Sequence, residues 1–112
     1  MTDDDSAAAG QWEIAAAVAD VKADEPVACT LGRHEIAVYL VDGAYYATSN
    51  ICTHASALLT DGFMEGCEIE CPLHNARFDV RTGEVLTSPA EVDLETFRTR
   101  VVGERIEVFI PA

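Results

Sequence analysis

Short stretches rich in β-branched and aromatic residues, broken by turn dipeptides, follow one another along the chain from Trp12 onward. This pattern is typical of antiparallel strands joined by tight turns. The predicted strands are residues 27–31, 35–41, 44–48, 77–80, 85–87, 97–102 and 105–110. Asp42-Gly43 stands between the second and third of these, and Asp-Gly is favoured in two-residue hairpin turns. The pattern therefore predicts an all-β domain with a hairpin at Asp42-Gly43.

The last predicted strand alternates between two sets of positions with a period of two. Its expected core face is Ile106, Val108 and Ile110, and its expected outer face is Arg105, Glu107 and Phe109. Tyr45 and Tyr46 are neighbours in a strand and point to opposite faces, so we expect one in the core and one exposed. The helical candidate is the Ala-rich stretch 15–23, whose two valines fit a turn equally well. An all-β domain remains the better interpretation.

The chain of 112 residues has room for a single domain. Val, Ile, Leu and Phe together number 28 residues, which is enough for a hydrophobic core. Residues 1–10 contain Asp3, Asp4 and Asp5 and no large apolar side chain, so we expect a flexible acidic tail there. The folded domain is expected to span residues 11–112.

Twenty acidic residues against seven basic ones give a formal net charge of −13. Nucleic acids and anionic membrane surfaces attract basic proteins, so neither is an expected partner. The longest apolar runs have six residues, far fewer than the roughly 20 that a membrane-spanning helix needs. The acidic N-terminus is unlike the cationic start of a signal peptide, so we expect a cytoplasmic protein. In a reducing compartment, its four cysteines are expected to be metal ligands or free thiols. We also expect a monomer.

Two short segments each combine a thiol with an imidazole: Cys52-Thr53-His54 and Cys71-Pro72-Leu73-His74. Both types of side chain are common metal ligands, and each segment is expected where a strand gives way to a loop. A structural zinc ion with two Cys and two His ligands is one alternative. The spacing fits it poorly, because zinc fingers usually group their Cys ligands and their His ligands in separate pairs.

The C-x-H and C-x-x-H pair, with residues 71–80 and the following Thr82-Gly83, resembles the Rieske family of 2Fe-2S proteins. The resemblance implies a Rieske fold: an antiparallel, sandwich-like β base and a small cluster-binding subdomain of two ligand loops, at roughly residues 50–90. It also implies that Cys52 and Cys71 bind the inner iron and that His54 and His74 bind the outer iron. Leu73 would help to shield the cluster, and Pro89 would lie in a third loop that closes over it.

The implied ligand set affects the reduction potential of the cluster. Two ferric ions, two sulfides and two thiolates sum to zero charge, whereas four thiolates would leave the oxidised cluster negative, so adding an electron is easier with two His ligands. High-potential members of the family carry an extra disulfide and hydroxyl groups that donate hydrogen bonds to the sulfurs. This chain has Ala57 and Leu73 at the corresponding loop positions, and Asn75-Ala76-Arg77 after the second His. We therefore expect a low-potential cluster.

The size of the chain then favours one role within the family. An oxygenase also needs a mononuclear iron held by two His and a carboxylate, and only His34 is left over. A reductase needs a flavin or nicotinamide site, and no Gly-x-Gly-x-x-Gly sequence occurs. The resemblance thus implies a one-electron carrier, not an enzyme, between a flavin-dependent reductase and the Rieske non-haem iron oxygenase of an aromatic-ring dioxygenase or hydroxylase. A small Rieske-type subunit of a nitrite reductase-like enzyme and a zinc-stabilised interaction module are the alternatives.

Several other residues have ordinary structural interpretations. We expect Cys29 and Cys67 to be packed thiols and His34 to be a surface residue near a turn. Four acids between the two ligand segments have no basic residue among them and predict either a solvated face or a docking surface for basic partners: Asp61, Glu65, Glu68 and Glu70. Arg77 and Asp79 are expected to hydrogen-bond loop carbonyls or each other.

Overall fold

The computed structural model describes residues 9–53, 56–73, 75–88 and 90–112. Those residues form antiparallel sheets and two single 3₁₀ turns, so the predicted all-β class is confirmed. The strands are β1 (Gly10–Ala17), β2 (Val27–Leu31), β3 (His34–Val41), β4 (Ala44–Ser49), β5 (Phe63–Glu65), β6 (Glu68–Glu70), β7 (Arg77–Asp79), β8 (Thr96–Phe97), β9 (Thr99–Val102) and β10 (Arg105–Pro111). The 3₁₀ turns are Val18–Asp20 and Leu59–Asp61. None of the described helical segments is long and apolar enough to span a membrane.

The central sheet has the strand order β2-β3-β4-β8 and is built around the predicted hairpin. Asp42 and Gly43 both adopt left-handed backbone conformations, with φ of 51° and 80°. A two-residue turn of this kind matches the right-handed twist of the strands that it joins, which is why Asp-Gly is favoured there. The hairpin at Asp42-Gly43 is thus confirmed.

The second sheet, β1-β10-β9, begins in the Ala-rich stretch for which the sequence left a helix and a turn open. The stretch forms no α-helix: β1 continues to Ala17, and Val18–Asp20 makes one 3₁₀ turn, which agrees with the turn alternative. β1 pairs with β10 from Gly10 to Ala17, with a register shift between Ile14 and Ala16. Pairing along a whole neighbouring strand satisfies the backbone hydrogen bonds of this stretch and outweighs the weak helical preference of Ala.

Two hydrophobic cores lie on opposite faces of the central sheet. Alternate β3 residues enter them: Ala37, Tyr39 and Val41 in one, and Ile36 and Val38 in the other. We name the first the loop-side core, because it also contains Cys52 and Cys71, and the second the base core, because it contains Ile106 and Val108 of β10. A sheet that is covered on both faces explains the continuous apolar run of β3.

The two covered faces also correct the expectation for the tyrosine pair. Tyr46 packs against the loop-side core and Tyr45 against the base core, and both are half-buried. The prediction that one tyrosine lies in the core and the other is exposed is therefore wrong, because a hydrophobic core covers each face of the strand at this position.

The outer face of β10 is more buried than its alternation suggests. Ile106, Val108 and Ile110 pack in or against the base core and Glu107 and Phe109 do not, as the alternation predicts, yet Phe109 and Glu107 are only 9 % and 7 % exposed. The ring of Trp12 lies edge-on to that of Phe109, with centroids 5.5 Å apart. Arg100 and Arg105 both hydrogen-bond the Glu107 carboxylate. Long side chains from neighbouring strands therefore cover positions that face away from the core.

The third sheet, β5-β6-β7, lies in the chain between β4 and β8, within the predicted cluster-binding region. Residues 85–87, which were predicted to be a strand, do not form one, and a single β-bridge joins Val85 to Phe78. The predicted strand 97–102 is two strands that separate at Arg98. The reason is a change of partner, because Phe97 pairs with β4 of the central sheet and Thr99 pairs with β10.

Candidate metal centre

Two loops with the same closure carry the predicted Cys ligands. The backbone N–H of Cys52 donates to the carbonyl of Ala57 at 3.0 Å, and the N–H of Cys71 donates to the carbonyl of Ala76 at 2.8 Å. Each cysteine therefore bonds the residue five positions ahead, and each loop holds four residues between its closing pair. Because the backbone at the base of both loops is fixed, the two cysteine side chains are held in defined positions.

The structure brings the thiols of Cys52 and Cys71 together although nineteen positions separate them in the chain. Both residues are buried, at 4 % and 0 % exposure, and their side chains are close enough for Cys52 to affect the pKa of Cys71. Burial raises the pKa of the Cys71 thiol, the backbone N–H of Leu73 opposes this by donating to the sulfur, and the neighbouring Cys52 raises the pKa further. Two adjacent buried thiols are costly as thiolates until a cation neutralises them, so this pair fits a metal cluster.

The two predicted imidazole ligands, His54 and His74, lie outside the described residues, as does Pro89. Among residues 9–53, 56–73, 75–88 and 90–112, no group of three or more His, Cys, Asp and Glu side chains could hold a metal. The described residues thus bring two of the predicted ligands together, and they do not bring all four cysteines into one group. Cys29 is on β2, where burial raises its thiol pKa and Glu35 and Glu13 raise it further.

A third segment lies against the first ligand loop. The hydroxyl of Thr53, next to Cys52, donates to the carbonyl of Val92 at 2.6 Å. The same segment is fixed to the stretch that follows β7, since the Asp93 carboxylate accepts a hydrogen bond from the N–H of Val85 and the N–H of Leu94 donates to the carbonyl of Gly83. The predicted third loop therefore has described anchors on both sides of residue 89.

Large apolar side chains are exposed in and near the segments that carry the two loops. Five of them lie at residues 51–58, at residue 73 and at residues 86–92: Ile51 (46 %), Leu58 (39 %), Leu73 (46 %), Leu86 (40 %) and Val92 (62 %). Leu73 lies two residues after Cys71, and nearly half of its side chain remains open to solvent. Exposed apolar side chains grouped on one part of a surface commonly mark an interaction site. We name these five residues the apolar tip.

Arg77 corrects the expectation for the acidic stretch. Its guanidinium lies 2.9 Å from Glu70, 3.3 Å from Glu68 and 3.5 Å from Glu65. The antiparallel register places Arg77 opposite Glu70, so an Arg outside the acidic stretch in the chain is central to it in space. The prediction that Arg77 hydrogen-bonds loop carbonyls or Asp79 is therefore wrong. Three of the four acids share a cation, which makes this surface less negative than the sequence indicates.

Asp79 and His34 also have specific partners. The Asp79 carboxylate accepts hydrogen bonds from the backbone and the guanidinium of Arg81, at 2.9 Å each, and the Arg81 side chain holds the pKa of Asp79 below its usual range. His34 begins β3 and is half-buried, with its ring edge-on to Phe97 at 5.6 Å between centroids. His34 is thus at a turn, as expected, but packs onto the sheet.

Sequence reasoning missed Asn50 and the close contact of Gly62, which the Asp61-Gly62 dipeptide marks only as a turn. Asn50 is 1 % exposed and hydrogen-bonds Thr60, and Gly62 packs against the backbone of Glu70. An Asn two positions before a ligand Cys, at the end of a strand, is a signal that could have drawn attention to the first. The contact at Gly62 depends on the tertiary path of the chain and has no local signal.

Comparisons with known proteins agree with this geometry. Residues 11–98 match the Rieske 2Fe-2S domain family. The ferredoxin component of the naphthalene 1,2-dioxygenase system of Pseudomonas aeruginosa is 41 % identical over 98 residues, covering 88 % of this chain and 94 % of that protein. Sphingomonas yanoikuyae B1 ferredoxin has a TM-score of 0.86 and 36 % identity, covering 90 % of this chain and 100 % of that one. A chain in the complex of reduced oxygenase and oxidized ferredoxin in carbazole 1,9a-dioxygenase has a TM-score of 0.82 and 34 % identity, covering 88 % of this chain and 92 % of that one.

Proposed function

Because this chain belongs to the Rieske 2Fe-2S family, we propose that it is the ferredoxin of a multicomponent aromatic-ring dioxygenase or hydroxylase. It takes one electron from a flavin-dependent reductase and passes it to the terminal oxygenase. The observation that carries this proposal is the buried Cys52–Cys71 thiol pair, held by loops in and near which large apolar side chains are exposed. Such a site keeps water from the ligands while leaving a surface on which a partner can dock.

The cofactor is a Rieske-type 2Fe-2S cluster, which takes up and releases one electron when bound. Cys52 and Cys71 are proposed to bind one iron. His54 and His74, two and three positions beyond these cysteines, are proposed to bind the other. The chain is an electron-transfer component and not an enzyme, in line with the ferredoxin components to which it is similar. Those similarities set aside the zinc module and the nitrite reductase-like subunit.

The apolar tip is the proposed contact for the oxygenase. The relative in complex with an oxygenase supports this class of partner. Burial of five exposed apolar side chains would favour association with the oxygenase. The loss of translational and rotational freedom opposes association, so the complex would be short-lived. A carrier needs such an encounter to be short. The reductase is proposed to use the same end of the molecule at a different time, and the cytoplasm is the proposed location.

A low reduction potential is part of the proposal. Leu73 provides a backbone N–H to the Cys71 sulfur, and the side chains of Ala57, Leu73 and Ala76 add neither a disulfide nor a hydroxyl group. Fewer hydrogen bonds to sulfur leave the reduced state less stabilised. Voltammetry should give a midpoint potential toward the lower end of the Rieske range, which is about −150 mV. A clearly positive midpoint potential would contradict this assignment.

Electron transfer can be tested with the reductase and oxygenase of a naphthalene 1,2-dioxygenase system as partners. With NADH and naphthalene present, catalytic amounts of the chain should restore dihydrodiol formation. Cys71→Ser should abolish it, whereas Cys67→Ser, which removes a thiol outside the pair, should retain it. Iron analysis of both variants should show loss of iron only in Cys71→Ser. Equal iron content in both variants would refute the ligand assignment.

A further inference from the structure

Asn50 occupies the junction between the central sheet and the first ligand loop. It follows β4 directly and precedes Cys52 by two positions. Its backbone N–H donates to the carbonyl of Glu35 at 2.7 Å, and its carbonyl accepts from the N–H of Leu59 at 2.8 Å. The residue is only 1 % exposed. Asn50 is therefore fixed on one side to β3 and on the other to the Leu59–Asp61 turn.

The side chain of Asn50 makes a second, reciprocal connection to the same turn. Its Nδ2 donates to Thr60 Oγ1 at 3.0 Å, and its Oδ1 accepts from the backbone N–H of Thr60 at 2.9 Å. A buried amide is costly unless it is hydrogen-bonded, so this side chain has one favourable orientation. The turn itself is anchored in the loop-side core by Leu59, which is fully buried.

The other end of the turn contacts the second ligand loop. The N–H of Gly62 donates to the carbonyl of Leu59 at 2.9 Å and closes the turn. A Cβ atom on Gly62 would overlap the carbonyl oxygen of Glu70 and would lie 3.1 Å from Cδ of Pro72. Glu70 and Pro72 are the two neighbours of Cys71 in the chain. The turn thus contacts Asn50, two positions before Cys52, and both chain neighbours of Cys71.

We propose that Asn50 is a positioning residue that sets the Cys52 loop against the Cys71 loop through the Leu59–Asp61 turn. The proposal rests on the proposed function, in which both cysteines bind the cluster. Asn50 does not need to touch the cluster. It fixes the distance and relative orientation of the two thiol groups, and these in turn affect the electronic structure of the iron that they bind.

Five variants test the Asn50–Thr60 connection and the turn that it holds. Asn50→Ala removes both side-chain hydrogen bonds, and Thr60→Val removes the hydroxyl partner while keeping its size. Thr60→Ser retains the hydroxyl and serves as the conservative variant. Tyr39→Phe is the matched control, because it removes one buried side-chain hydrogen bond, to Thr48 at 2.8 Å, within the same loop-side core. Gly62→Ala perturbs the turn from its other end.

The readouts are the EPR spectrum of the reduced protein, its midpoint potential and the rate of iron release to a chelator. We expect Asn50→Ala and Gly62→Ala to shift the g-values and the midpoint potential. Iron release should be about tenfold faster in Asn50→Ala, because two buried hydrogen bonds are lost. Thr60→Val should shift the g-values and the midpoint potential in the same direction as Asn50→Ala. Thr60→Ser and Tyr39→Phe should keep the wild-type spectrum and potential. Spectra and potentials of Asn50→Ala and Thr60→Val that match those of Tyr39→Phe would overturn the proposal.

Two further outcomes are decisive. If Asn50→Ala folds by circular dichroism but binds no cluster, the positioning role is supported; if it does not fold, the comparison of Thr60→Val with Thr60→Ser and Tyr39→Phe decides. A wild-type protein without a Rieske spectrum would refute the proposed function. A wild-type protein with that spectrum, together with invariant variants, would refute only the role of Asn50.

Discussion

Replacing Leu59 by Ala tests the idea that the loop-side core holds the two ligand loops together. Leu59 is fully buried in that core, beside Cys52, Cys71 and Ala76. The substitution deletes three carbon groups at about 0.8 kcal/mol each, and a cavity that relaxes only in part brings the loss to about 3 kcal/mol. If iron release proceeds through local opening of this core, a loss of about 3 kcal/mol makes release roughly 100-fold faster.

Ile106→Ala is the matched control. Ile106 is also fully buried and also loses three carbon groups, but it belongs to the base core on the opposite face of the central sheet. Both variants should lower the thermal midpoint by a similar amount. Iron release to a chelator at a temperature well below that midpoint should be accelerated in Leu59→Ala and only slightly in Ile106→Ala. Equal acceleration in both variants would show that release requires global unfolding and would refute the reasoning.

Three further predictions concern charge and the cofactor. Arg81 holds the pKa of Asp79 below its usual value in the folded chain, so the Asp79 carboxylate binds a proton more tightly in the unfolded chain. The ion pair therefore stabilises the fold above the unfolded-state pKa of Asp79. This stabilisation is lost as the pH falls through the folded-state pKa. Asp79→Asn should therefore reduce the decline of the thermal midpoint below about pH 4, and an unchanged decline would contradict the ion pair. With a net charge of −13, electron transfer from the reductase should slow as ionic strength rises in stopped-flow measurements, whereas a flat dependence would assign the acids to solubility alone. Removal of the cluster should lower the thermal midpoint, since a group that binds only the folded state stabilises that state. The far-ultraviolet circular dichroism of the strands should be retained. Equal midpoints with and without the cluster would argue against cluster binding by the buried thiols.

Local signals in the sequence were sufficient for the central hairpin and for the approach of Cys52 to Cys71. Asp42-Gly43 has a backbone preference that selects its turn, and the paired Cys and His spacings indicate a metal centre without knowledge of the fold. The loops that carry Cys52 and Cys71 then come together as expected.

Features that depend on neighbouring elements were not predictable. β1 is a strand in spite of its Ala content because β10 provides a pairing partner. The burial of Phe109 depends on Trp12 from a distant part of the chain. Arg77 reaches three glutamates only through the register of β6 and β7. In each case the deciding contact joins residues that the sequence alone does not place side by side.

Pulsed EPR of the reduced protein tests the central assignment most directly. If Cys52 and Cys71 bind one iron and His54 and His74 bind the other, the spectrum should show two directly coordinated imidazole nitrogens, and chemical analysis should give two irons and two acid-labile sulfides per chain. Each of the variants His54→Cys and His74→Cys should remove one nitrogen coupling. A colourless protein that contains zinc, or an iron–sulfur signal without nitrogen coupling, would contradict the account.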